Sequence, residues 1–153
     1  MDSIIRAVEE EAMEEVDGDS NRSKIIELKA EGKVLYADLS YWVMAAVFEV
    51  HNLIGPGFTE NVYEEALVVE LEQQGIPFER QKMINVYYKD RIVGTYRVDI
   101  VIDRKIVLEI KAVSSLQDVF KQQVLAYLKA SGLRLGILVN FGNKRVQSTR
   151  IVY

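Results

Sequence analysis

The sequence predicts an α/β fold, and three changes of pattern along the chain support it. Two early stretches space their apolar residues as helices do. Three consecutive stretches rich in Val, Ile and Tyr then follow, as is typical of strands. One more helical stretch precedes two final strand-like stretches. The expected order is helix, helix, three strands, helix, two strands.

The first two helices are separated by a segment that cannot be helical. Residues 40–53 carry apolar side chains at helical spacing, which predicts a mostly buried helix. Gly55-Pro56-Gly57 ends it, because proline and glycine are costly inside a helix. Thr59 is the expected N-cap of a second helix over residues 60–74, and Gly75 is its expected C-cap.

The next three stretches, residues 78–88, 92–102 and 105–113, are predicted strands. Lys89-Asp90 and Asp103-Arg104 interrupt them and predict tight turns. Ser114 with Gln117 fits a capping box, which predicts that a third helix starts there and runs to about Ala130. Residues 135–141 and 146–152 are the last two predicted strands.

Composition restricts the class of protein. The 153 residues include no cysteine, which excludes disulfide scaffolds, thiol nucleophiles and zinc fingers. No apolar run has the length of a membrane span and the N-terminus resembles no secretory signal, so we expect no membrane partner and a cytoplasmic location. Residues 1–76 hold 5 Lys and Arg against 17 Asp and Glu, whereas residues 77–153 hold 14 against 6. The basic half could attract phosphates, or the two halves could simply attract each other.

The charge distribution also suggests a division of the chain. Residues 1–37 are predicted to be an acidic, partly helical N-terminal extension, and residues 38–153 the compact domain. The extension could recruit a protein partner or cover the basic half. Aromatic residues near the start of the domain, Tyr36, Tyr41 and Trp42, leave a homo-oligomer as a further possibility.

Two predicted strands carry acidic and basic groups that are costly to bury. Side chains alternate along a strand, so Glu109 and Lys111 share one face, and Asp99 on the preceding antiparallel strand can lie close to Glu109. Two carboxylates suit Mg²⁺, with Mn²⁺ as an alternative, and Lys111 could activate water and stabilise charge on phosphate. A structural Glu–Lys pair is the competing interpretation.

Three further residues are candidates for the same site. Glu60, in the first turn of the second helix, is either a third metal-binding carboxylate or a group that satisfies the helix dipole. Gln123 and Tyr127 lie four residues apart on the third helix. They either support the site or contact a nucleic-acid backbone, and a satisfied core amide is the alternative for Gln123.

These residues resemble the motifs of the GxxExxY family, a branch of the PD-(D/E)xK nuclease-like superfamily. The resemblance covers about residue 32 to Tyr153 and rests on several ordered blocks: Gly57-x-x-Glu60-x-x-Tyr63, Asp99, Glu109-Ile110-Lys111, Gln123 to Tyr127, and Leu138-Val139-Asn140-Phe141-Gly142. Two positions depart from it. Val98 stands where the superfamily's proline would precede the aspartate, and Phe120 stands where related sequences often have histidine.

The resemblance implies a restriction-endonuclease-like αβββαβ core, in which the helix of Glu60 and the helix of Gln123 flank a central mixed sheet. It also implies Glu60, Asp99 and Glu109 as acidic site residues and Lys111 as the catalytic lysine. We therefore expect a Mg²⁺-dependent nuclease that acts on nucleic acid, with DNA favoured over RNA. The alternative is a non-catalytic binding or assembly module on the same fold.

Overall fold

The computed structural model describes residues 34–153, and the predicted helical stretches of the N-terminal extension lie outside them. The helices are α1 (Ala37–Ile54), α2 (Glu60–Gln73) and α3 (Asp118–Ser131). The strands are β1 (Phe78–Tyr88), β2 (Arg91–Ile102), β3 (Ile106–Lys111), β4 (Leu135–Asn140) and β5 (Gln147–Val152). This order of elements confirms the predicted α/β architecture. None of the helices described is long and apolar enough to cross a membrane.

The five strands form one mixed sheet in the order β1-β2-β3-β4-β5. Only β3 and β4 run parallel, because α3 connects them and crosses over the sheet. The other neighbours are antiparallel. Lys89, Asp90, Asp103 and Arg104 all have positive φ, which confirms the two predicted tight turns.

Helices cover both faces of the sheet. On one face, α1 and α2 pack on the inward side chains of the central strands, among them Ile100, Leu108 and Ile137. On the other face, Val124, Tyr127 and Leu128 of α3 pack on Val107 and Leu138. β3 and β4 therefore have apolar residues on both faces, as strands in the middle of a sheet do.

The packed part of the chain reaches back before α1. Leu35 is partly buried against the core, and its carbonyl accepts a hydrogen bond of 2.7 Å from Nη2 of Arg150 on β5. Leu35 and Arg150 are far apart in sequence, so this hydrogen bond connects the start of α1 to the edge strand β5. The division after residue 37 stays a prediction.

Two predicted helix caps were wrong. The C-cap residue of α2 is Gln74, one position before the predicted Gly75. Ser114 does not cap α3, which begins at Asp118 with Gln117 as the N-cap residue. The backbone of Val113 is instead bonded in both directions by Asn140: its N–H donates to Oδ1, and its carbonyl accepts from Nδ2, each at 2.9 Å. These bonds hold the chain after β3 against β4, so it cannot turn into a helix until several residues later.

Candidate active site

The centre of the candidate site is a pair of carboxyl groups where β2 and β3 separate. The two strands pair from Ile102 and Ile106 as far as Ile100 and Leu108. Beyond that point Oδ2 of Asp99 accepts a hydrogen bond of 2.8 Å from the Ile110 N–H, in place of a backbone carbonyl. The strands therefore open where the acidic residues lie.

Glu109 lies within this opening, 5% exposed, and its Oε2 atom is buried without a hydrogen-bond partner. Burial raises the pKa of Glu109 to about 9, helped by the charge of Asp99, a hydrogen bond to Asp99 and the more distant Glu60. The positive charge of Lys111 acts in the opposite direction. The predicted proximity of Asp99, Glu109 and Lys111 is thus observed.

A break in the strand pattern turns Asp99 towards this opening. Phe78 packs on the side of α1 and α2, whereas Ile84, six residues later and expected on the same face, packs on the side of α3. Between them Gln81 has a φ of 49°, a left-handed conformation that is uncommon in a strand. The hairpin changes face there, opposite Asp99. Irregularities of this kind often re-aim a side chain beside an active site.

The break is held from α2. The Gln81 amide donates to Oε2 of Glu64 at 2.8 Å, and Nε of Arg80 donates to the other oxygen of the same carboxylate at 3.1 Å. Glu64 is buried, and Arg80 also pairs with the neighbouring Glu65. Strand periodicity does not reveal this cluster, because it gives no indication of a left-handed residue. The only available signal was the adjacent Glu64 and Glu65 on the helix.

Lys111 follows Glu109 on the same face of β3, directed towards α3. Its ammonium lies 4.8 Å from the centre of the Phe120 ring on that helix. An aromatic ring at this distance attracts a cation and restricts its position. Phe120, one of the two departures from the family pattern, is therefore a direct neighbour of the candidate catalytic lysine.

Tyr127 and Gln123 close the side of the site formed by α3. Tyr127 is buried, and its ring centre lies 5.5 Å from that of Tyr96 on β2. Burial raises the pKa of Tyr127 to about 12, together with the negative charges of Glu109 and Asp99, while a hydrogen bond with Gln123 lowers it. Both helix residues thus belong to the surroundings of the carboxyl pair.

Glu60 lies at the margin of the site. It occupies the first turn of α2, is exposed, and contributes the weakest of the charge effects on Glu109. Within residues 34–153, no three His, Asp or Glu side chains are gathered closely enough to form a cation site by themselves. The structure therefore brings Asp99 and Glu109 together without Glu60 in direct contact.

Tyr63, the last residue of the Gly57-x-x-Glu60-x-x-Tyr63 motif, is a packing residue. It is fully buried, stacks on Phe141 with ring centres 4.4 Å apart, and its hydroxyl donates to the Gly55 carbonyl at 2.7 Å. The motif thereby fastens the Gly-Pro-Gly turn to the end of β4. His51 acts nearby in the same way, with Nε2 bonded to the Asn143 carbonyl at 2.9 Å. The contact supports a structural role.

The Leu138–Gly142 segment holds Lys111 from the parallel neighbour strand. Asn140 lies opposite Lys111 in the β3–β4 ladder, and the Phe141 N–H donates to the Lys111 carbonyl at 2.9 Å. Gly142 passes so close to Val113 that a Cβ atom would lie 2.3 Å from its carbonyl oxygen. Only glycine fits at this approach, which explains why the segment ends in Gly142.

The donor set fits a hard divalent cation. Two adjacent carboxyl groups, one with a buried oxygen that has no hydrogen-bond partner, are ligands that Mg²⁺ and Mn²⁺ accept. Lys111 on the same strand face would lie beside a phosphate held there. The sheet has two strands that separate at an acidic pair, with a lysine beside the pair. This combination of fold and site is found in metal-dependent nucleases.

Comparison with known proteins supports the same class. The profile of the PD-(D/E)XK nuclease superfamily matches residues 37–151, so the chain belongs to this superfamily. The crystal structure of SSO0001 is similar in fold, with a TM-score of 0.51 and 18% sequence identity over 99% of this chain and 76% of that one. A search of the curated proteins found no match.

Proposed function

We propose that the protein is a metal-dependent nuclease of the GxxExxY branch, which hydrolyses phosphodiester bonds in nucleic acid, with DNA favoured over RNA. The observation that carries the proposal is the pairing of Asp99 with the buried Glu109 at the point where β2 and β3 separate. A carboxyl pair held this way destabilises the chain unless it binds something positive. A role in catalysis accounts for that cost.

Asp99 and Glu109 would hold Mg²⁺ or Mn²⁺. Glu60 would add negative charge at the margin of the site and would be available as a further carboxylate ligand. Bound there, the metal would polarise the phosphate and lower the pKa of a water molecule. The Lys111 ammonium would orient that water and stabilise charge on the phosphate. The Phe120 ring would keep the ammonium near the scissile group, and Gln123 with Tyr127 would support the acidic pair.

The test is cleavage of labelled single- and double-stranded DNA and RNA in Mg²⁺, Mn²⁺ or EDTA. We expect metal-dependent cutting by the natural chain and a loss of at least about a hundredfold in Glu109→Gln and Lys111→Ala. Glu49→Gln, at an exposed α1 position, is the matched control. Cutting at the natural rate by either site variant, with folding verified, would refute the assignment.

Metal binding has a readout that is independent of activity. A ligand that binds only the folded chain raises its stability, by about 2.7 kcal/mol at a hundredfold excess over Kd. Thermal unfolding should therefore shift upward in Mg²⁺ for the natural chain and not for Glu109→Gln. An equal shift in both would place the metal elsewhere.

The alternative function is a non-catalytic nucleic-acid-binding or assembly module. It would follow if the natural chain bound nucleic acid without cutting it in any metal. The presence of Asp99, Glu109 and Lys111 together in one site favours the enzyme.

A further inference from the structure

Within residues 34–153, no third strand lies beside the outer part of the β1–β2 hairpin. β1 and β2 pair from Phe78 and Ile102 to Tyr88 and Arg91, apart from the break at Gln81, but β3 joins β2 only at Ile100–Ile102. Residues 83–97 therefore form a two-stranded ribbon, supported on one face by α3 through Ile84. Isolated two-stranded ribbons are only marginally stable in water, so we expect this one to have a binding function and not only a structural one.

The ribbon exposes large apolar and aromatic side chains. Tyr87 and Tyr88 are each 63% exposed beside the turn, and Tyr96 is 45% exposed nearer the core. The exposed large residues of the ribbon are Met83, Tyr87, Tyr88, Ile92, Val93 and Tyr96. By the strand register, Tyr88 and Tyr96 lie on the face of the ribbon that also carries Ile84, and Tyr87 lies on the other face. Exposed apolar side chains of this size mark an interaction surface.

The charge of the ribbon indicates what it binds. Lys89, Arg91 and Arg97 lie between residues 83 and 97, and Asp90 is the one acid in that range. The Lys89 ammonium lies 5.6 Å from the centre of the Tyr88 ring, so positive charge and ring surface occur side by side. Positive charge attracts phosphate, and an aromatic ring stacks with a nucleobase.

The ribbon is continuous with the candidate active site. Tyr96 contacts Tyr127 of α3, which packs on Val107, two residues before Glu109 on the same face of β3. A nucleic-acid strand with its phosphate at the carboxyl pair could therefore continue directly onto the ribbon. This continuity favours the substrate over a second copy of the chain.

We propose that the face of the ribbon turned towards α3 binds unpaired nucleotides of the substrate, with a base stacked on Tyr88 and phosphates held by Lys89 and Arg91. The inference rests on the proposed nuclease function and adds a substrate class to it. Exposed rings select unpaired bases, because paired bases already stack on each other. The protein would then prefer single strands or junctions with unpaired tails to blunt duplexes.

The experiment measures binding of the full chain in EDTA, which prevents cutting. The probes are a dye-labelled single-stranded DNA, the same sequence as RNA, and a blunt DNA duplex. We expect Tyr88→Ser to raise Kd for the single strands roughly tenfold, with little change for the duplex. Thermal unfolding verifies that the variant is folded.

Two controls separate stacking from other effects. Tyr88→Phe keeps the ring and should bind as the natural chain does. Tyr153→Ser removes a tyrosine that is 58% exposed at the end of β5, on the opposite edge of the sheet, and should also leave binding unchanged.

The outcomes distinguish this inference from the nuclease assignment. A natural chain that cuts nucleic acid but prefers blunt duplex, or whose serine variant binds single strands equally well, overturns the ribbon proposal alone. A serine variant that changes the oligomeric state in light scattering shows that the ribbon joins copies of the chain, and also overturns it. If the natural chain neither binds nor cuts nucleic acid, both the ribbon proposal and the nuclease assignment are overturned.

Discussion

At the scale of single residues, the side chain of Asn140 makes more polar contacts than its apolar surroundings suggest. It is fully buried among the apolar residues that end β4. Its Oδ1 accepts from the N–H groups of Val113 and Gly142, and its Nδ2 donates to the Val113 carbonyl and to Oε1 of Gln147. One amide thus joins three segments at the end of the sheet that carries Lys111.

We expect Asn140→Ala to destabilise the protein by about 2–4 kcal/mol, because it leaves buried backbone groups of Val113 and Gly142 without partners. The free energy of unfolding in urea measures this. Asn143→Ala is the matched control, since the Asn143 side chain is half-buried and, among the described residues, donates one hydrogen bond, to Oε1 of Gln147. Its expected effect is within about 0.5 kcal/mol. Equal effects of the two substitutions would show that the Asn140 bonds do not stabilise the chain.

Phe120 shows how a departure from a family pattern can be understood once its neighbour is known. In the sequence, Phe120 occupies the position where related sequences often have histidine. In the structure its ring lies beside the Lys111 ammonium, so the position still acts on the charged group, through the ring face and not through a second titrating side chain. The sequence makes Lys111 a candidate site residue, and only the geometry gives its contact with Phe120.

At the scale of elements, the left-handed Gln81 determines which way β2 presents Asp99. Glu64 of α2 receives the Gln81 amide and the Arg80 guanidinium, so helix and hairpin fix the break together. A β-branched residue strongly disfavours a φ of 49°. Asparagine tolerates it.

We therefore expect Gln81→Val to cost about 1–3 kcal/mol of stability and to lower cleavage activity, because Asp99 would no longer face Glu109. Gln81→Asn should retain most of both. Urea unfolding and the cleavage rate measure the two effects, and the Mg²⁺-dependent shift in thermal unfolding reports on the carboxyl pair independently. If Gln81→Val behaved as Gln81→Asn does, the break would not control the site.

The elements also show what periodicity can and cannot predict. Alternation along β3 placed Glu109 and Lys111 on one face, and the tight turn put Asp99 nearby, as observed. Local rules failed where a distant residue intervenes. Ser114 matched a capping box, but Asn140 binds the preceding backbone and delays α3, and Glu64 supports a conformation at Gln81 that strand patterns exclude.

At the scale of the whole molecule, opposite charges lie in different parts of the sequence. Residues 77–153 have a net charge of +8 and include β1 to β5 and the candidate site, whereas residues 1–31 hold 10 Asp and Glu against 4 Lys and Arg. An acidic segment in the same chain can compete with phosphates for the positive charge of residues 77–153. Recruitment of a basic partner is the other role such a segment can have.

We expect masking of the basic surface, so a chain that begins at residue 32 should bind nucleic acid roughly tenfold more tightly at low salt, with the difference fading as salt screens the charges. Replacement of Glu9, Glu10, Glu11, Glu14 and Glu15 by Gln keeps the length of the segment and should reproduce most of the gain. Fluorescence anisotropy across a salt series measures it. If affinity is unchanged while a pulled-down basic partner is lost, the acidic segment recruits that partner and does not mask the basic surface of residues 77–153.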